Sequence, residues 1–166
     1  ALAREAQQAD PGAEGPALVA LELLGSQPQA EQLLTAYFQA KPSSHALRLG
    51  YVRELVSQQR YPLAIAQLEE ALALEPALAA GWLSLGALRL ELKEPAAAEA
   101  ALRRYMALGA QPPASDDPAM TVTNEGQTQA YLMLAQAAES QGQVQQAEQW
   151  LARIDDPAAA LNVQSR

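Results

Sequence analysis

The chain reads as an all-α protein built from repeated helix-turn-helix units, and three observations carry that reading. Ala64 recurs as Ala98, Leu68 as Leu102, Leu72 as Met106 and Leu74 as Leu108, each 34 positions on, which is a repeat signature. Apolar residues outside the turns return every three or four positions, the spacing of one helix face. Composition agrees: 49% of the 166 residues are apolar, with a single Phe and abundant Ala, which suits closely packed helices better than sheets.

The elements follow in order from these patterns. Residues 1–10 read as a capping helix or the last helix of an upstream repeat, with Leu2, Ala6 and Ala9 on one face and a stop at Asp10-Pro11-Gly12. Pro16 tolerates a first helical turn, so a helix is predicted over 16–24, a turn at 25–28 and a partner helix over 29–39. Ser43 or Ser44 is expected to cap a helix reaching Gln58, and Arg60-Tyr61-Pro62 turns the chain into a helix over 63–74. On that helix Ala64, Leu68, Ala71 and Leu72 share a face, while Gln67, Glu69 and Glu70 are expected in water. Helices over 80–92 and 96–108 come next, with Lys93-Glu94-Pro95 between them. Residues 113–127 lack apolar periodicity and read as an inserted surface loop. Asn124 with Gln127 is expected to cap a helix over 125–141, which Gly142 turns into a last pair member over 144–154. Asp156-Pro157 starts a further helix over 157–166.

Grouped by period, these elements form one domain over 1–166 with repeats at about 11–44, 45–78, 79–112 and 128–161. Tyr131, Leu134, Ala135, Gly142, Ala147 and Leu151 resume the pattern 49 positions after Trp82, which is one period plus a 15-residue insertion. The segments at either end read as parts of a longer array. In the third copy Trp82, then Leu85 and Gly86, then Ala98 and Leu102, resemble the tetratricopeptide repeat (TPR) pattern of an aromatic, Leu-Gly and a later small Ala. In the second copy Arg48 occupies the aromatic slot and Tyr51-Val52 the Leu-Gly pair, which places that copy's inter-helix contacts in question.

The resemblance implies a right-handed α-solenoid and a scaffold role of the kind used in assembly or chaperoning, in which the first helix of each copy lines a concave groove.

 For this chain the matching positions are Val19, Glu22, Leu49, Arg53, Leu83, Leu90, Leu132, Met133 and Gln136. A protein or peptide partner, held as a helix or extended segment against this largely apolar lining, is the implied ligand. The Lys, Asn and Arg set with which chaperone-binding relatives clamp a terminal carboxylate is absent. Two other readings stand beside the scaffold: a structural or oligomerisation module in which a second copy fills the groove, and an accessory repeat domain of a larger enzyme such as a metallopeptidase.

Charge and motif content exclude several functions. Nineteen acidic against 11 basic residues, net −8, argues against a nucleic-acid surface, and no apolar run is long enough for direct membrane insertion. With no Cys, one His, no HExxH and no phosphate loop, the chain reads as no enzyme, with no catalytic, cofactor or metal residues. His45 is expected as an exposed first-turn residue, the Asp-Asp-Pro sequences at Asp116 and Asp155 as helix caps, and Arg103-Arg104 as a solvated face. The compartment stays open between a bacterial periplasm and cytoplasm.

Overall fold

The computed structural model describes residues 14–24 and 28–154. The helices expected over 1–10 and 157–166, most of the turn at 25–28, and Asp155 and Asp156 lie outside the described residues. Among the described residues there are eight α-helices and no strand: α1 (Glu14–Glu22), α2 (Pro28–Ala40), α3 (His45–Ser57), α4 (Tyr61–Leu74), α5 (Ala79–Glu91), α6 (Pro95–Gly109), α7 (Asn124–Ser140) and α8 (Val144–Ala152). They pair as α1 with α2, α3 with α4, α5 with α6 and α7 with α8. The chain divides between Glu75 and Pro76 into two compact units, each with its own core.

The turns inside three of these pairs close identically. Gln59, Lys93 and Gly142 adopt positive φ of 58°, 60° and 75°. In each turn the following N–H reaches back five residues, Arg60 to Leu55, Glu94 to Arg89 and Gln143 to Ala138, all at 2.8 Å. The left-handed residue itself donates to Val56, Leu90 or Glu139. These are Schellman closures, which satisfy carbonyls that a helix end leaves orphaned. Their spacing, 34 positions and then 49, is the sequence period rewritten in backbone geometry.

In the first unit α1 and α2 bury Ala17, Ala20, Leu34, Tyr37 and Phe38, and α3 and α4 bury Tyr51, Val52, Leu55, Ala64, Ile65, Leu68, Ala71 and Leu72. Small Ala residues allow the close approach: Ala17, Ala20, Ala64 and Ala71 are all 0% exposed. The second copy's contacts, questioned above, are well made. Arg48 is buried in its aromatic slot, its guanidinium 4.4 Å from the centre of the Phe38 ring. Its Nη1 donates to Gln67 Oε1 at 2.9 Å and Glu70 Oε2 at 2.8 Å, so these two side chains of α4 serve the buried cation where they were expected only to face water. Phe38 stacks on Tyr51 with ring centres 6.0 Å apart.

In the second unit one cluster joins all four helices: Ala79, Leu102, Tyr105, Ala130, Leu134, Ala135, Ala138, Ala147 and Trp150. The segment expected as a free loop is docked over its later part. Pro118–Met120 forms a 3₁₀ turn against α5, and Val122 packs on the core. Thr123, and not Asn124, caps α7: its Oγ1 accepts the Gly126 N–H at 3.0 Å. Gln127 is instead buried. Ser44 does occupy the N-cap position of α3, but its hydroxyl donates to the Tyr37 hydroxyl at 3.2 Å and makes no capping bond.

Candidate functional site

The first helices of successive pairs lie side by side within each unit, α1 against α3 and α5 against α7. Gly50 shows how closely the first two approach, since a Cβ there would stand 3.1 Å from Leu21 Cδ2. The face these helices share is where the family resemblance put a groove. In the first unit Val19 is 43% exposed, Glu22 and Arg53 are exposed, and Leu49 is half-buried. In the second unit Leu132 is 51% exposed, Gln136 is exposed, and Leu83 and Met133 are half-buried against the core. Leu90 is different. It is buried in a small cluster with Ala98 and Ala137, with Met133 packed on it, so it supports the face from beneath and is not available as lining. Ala98 of α6 and Ala137 of α7 both reach Leu90, a meeting that residue spacing along α5 does not reveal.

The other candidate residues are placed as follows. His45 is half-buried, with a buried Nδ1 that has no hydrogen-bond partner among the described residues, so the expectation of an exposed residue is corrected. Asp117 caps the 3₁₀ turn through Oδ1, which accepts the Ala119 N–H at 2.9 Å. Among the described residues no group of three His, Cys, Asp or Glu side chains could hold a metal ion. Nor is any helix there long and apolar enough to cross a membrane. Arg103 and Arg104 do more than face solvent. The guanidinium of Arg103 lies 5.4 Å from the Trp150 ring centre and that of Arg104 lies 5.8 Å from Trp82, with Arg153 on Trp150 as well, at 4.7 Å.

Two features carry unusual electrostatics. Glu31 of α2 accepts both guanidinium nitrogens of Arg60 at 2.8 and 3.1 Å and also bonds the Tyr51 hydroxyl. Burial, reinforced by the Glu31 charge, pushes the Tyr51 phenol up to about 12. Burial also raises Tyr105, partly offset by hydrogen bonding to Thr123. Both phenols act as neutral ties between helices. The only sequence signal for the first tie was the absence of an aromatic at Arg48, which says that the second copy is built differently but not how.

No family model matches the chain, and no curated protein matches it. Solved structures do. A crystal structure of MamA superposes with a TM-score of 0.66 at 17% identity, covering 98% of this chain and 85% of that one. A second crystal structure of MamA gives 0.67 at 17% identity, covering 92% and 76%. A third, of MamA MSR-1 C2, gives 0.61 at 15% identity, covering 91% and 78%. Likeness at that identity shows the fold, and the fold is a TPR-like helical repeat.

Proposed function

We propose that this protein is a binding scaffold that receives a peptide or helix of a protein partner on the face formed by the first helices of its repeats. The observation that supports the reading is on α7. Leu132, a large apolar side chain, is left 51% exposed on the helix that also carries half-buried Met133 and, one turn on, exposed Gln136. An apolar residue held in water beside polar side chains is the composition of a recognition face, in which burial gives affinity and amides give orientation. Met133 adapts its shape to a guest, and Val19 with Glu22 and Arg53 offers the same mixture on the first unit.

The test is a photo-reactive side chain placed at position 132, with position 145 on α8 as control, followed by irradiation in an extract of the native host. A discrete adduct to one other protein from position 132, absent from position 145 and lost when Gln136→Ala is added, is the expected result. Adducts only to another copy of this chain would replace the scaffold with an oligomerisation module. An identical smear from both positions would refute a specific face.

A further inference from the structure

A separate cleft lies around Trp82 of α5. Pro76, Ala77, Trp82, Arg104, Ala107, Leu108 and Gln111 enclose a cleft of about 280 Å³. That is below the usual range for drug-sized ligands, about 300–1,000 Å³, and suits a single side chain. Its walls are the indole, Leu108 and the Pro-Ala pair. Its polar groups are the Gln111 amide and the Arg104 guanidinium, and no lining residue is acidic.

That absence is informative in this chain, where acidic residues outnumber basic ones 19 to 11. Arg48, Arg60, Arg89 and Arg103 each bond a glutamate, respectively Glu70, Glu31, Glu94 and Glu99. Arg104 instead rests on the Trp82 ring, 5.8 Å from its centre, and among the described residues no hydrogen bond or ion pair joins it to a carboxylate. A guanidinium over an aromatic ring and bonded to no carboxylate keeps N–H donors for a planar anion. The ring itself is fixed, because Trp82 Nε1 donates to the Pro76 carbonyl at 2.8 Å. The site therefore joins a fixed aromatic wall to a cationic group.

We infer that this cleft takes a Glu or Asp side chain of a partner peptide, the carboxylate on Arg104 and the Gln111 amide and the methylenes against Trp82 and Leu108. Charge complementarity selects this occupant over an apolar one. The inference does not depend on the face proposed above, since none of that face's residues lines the cleft.

The indole N–H of Trp82 is a direct reporter, and Trp150, the second of two tryptophans, is the internal control. The blocked tripeptide acetyl-Leu-Glu-Leu-amide, titrated into the full chain and followed by ¹H–¹⁵N NMR, is expected to shift the Trp82 indole resonance with an affinity on the order of millimolar. The Gln counterpart and the Arg104→Gln variant are each expected to bind about tenfold more weakly, the loss of one charge-assisted contact. The unchanged Trp150 resonance verifies that Arg104→Gln is folded. Equal shifts with both peptides, a Trp150 shift as large as that of Trp82, or an undiminished response in Arg104→Gln would each overturn the proposal. A Trp82 shift that appears on concentrating the protein alone would assign the cleft to a second copy of the chain and overturn the peptide.

Discussion

Replacing Gly126 by Ala tests whether the end of the inserted segment is truly part of the core. Gly126 is the third residue of α7 and is buried. A Cβ built there would overlap the Tyr105 hydroxyl oxygen, and would stand 3.0 Å from Tyr105 Cζ and 3.1 Å from Thr123 Oγ1. Tyr105 is 2% exposed and belongs to the central cluster, so it has no path into solvent. Overpacking of this kind costs about 1–3 kcal/mol. Displacing the phenol also breaks its bond with Thr123, for about 1 kcal/mol more. Better helix propensity returns at most about 1 kcal/mol. The single change is therefore expected to destabilise the second unit by about 2–3 kcal/mol.

The obstructing atom is one oxygen, and removing it supplies the control. Tyr105→Phe alone should lose about 1 kcal/mol with its hydrogen bond. In the double variant the overlap is gone, leaving only the ring-carbon contact. The pair should then cost about 1–2 kcal/mol, less than Gly126→Ala by itself, which is a coupling of roughly 2 kcal/mol between touching residues. Urea unfolding followed by circular dichroism measures all four proteins. If Gly126→Ala is as stable as the parent, or if the double variant loses the sum of the two singles, the α7 start does not pack on Tyr105 as described.

Four further outcomes are expected. Ala98→Leu, at a position with no exposure, should cost about 1–3 kcal/mol in a thermal melt, and a neutral result would break the assignment of small residues to helix contacts. Glu70→Ala should cost about 1–3 kcal/mol in urea unfolding although the Glu70 side chain is 66% exposed, because it strips the carboxylate from the buried Arg48, and a neutral result would argue against that ion pair. Tyr51 keeps its proton in the folded state between pH 10 and about 12 while the unfolded chain loses it, so stability is intact below pH 10 and falls as pH rises through that window, by on the order of 2–3 kcal/mol; Tyr51→Phe should flatten that decline in urea titrations at stepped pH. Lys93→Gly should be neutral or stabilising by up to about 1 kcal/mol, because glycine accepts the φ of 60° that strains a side-chain-bearing residue, and a clear loss would argue against the closure described at that turn.

Helix existence was legible throughout the described chain because it depends on local order: an apolar stripe at three and four spacing specifies a buried face before any partner is known. The α4 stripe of Ala64, Leu68, Ala71 and Leu72 is fully internal, and the 34-residue period placed α5 and α6 within a residue or so of their ends. The face shared by first helices was named by resemblance, and its burial was not. Leu83 and Leu132 occupy equivalent repeat positions, 49 apart, and Leu90 follows Leu83 by two helical turns, yet they are half-buried, exposed and buried in that order, because each depends on what the neighbouring helix brings to that height.

The sequence by itself determined the all-helical repeat, its period, and the small residues that let helices approach, since these are encoded in the order of side-chain sizes along one strand of chain. Only the tertiary structure decided that Arg48 is a buried cation over Phe38, that Thr123 and Tyr105 fasten the inserted segment, and that Arg104 stands over Trp82 with no carboxylate bonded to it among the described residues. Those contacts join residues from different helices whose meeting depends on angstrom-scale approach, and a linear pattern of apolar and polar positions carries no information about distance between helices.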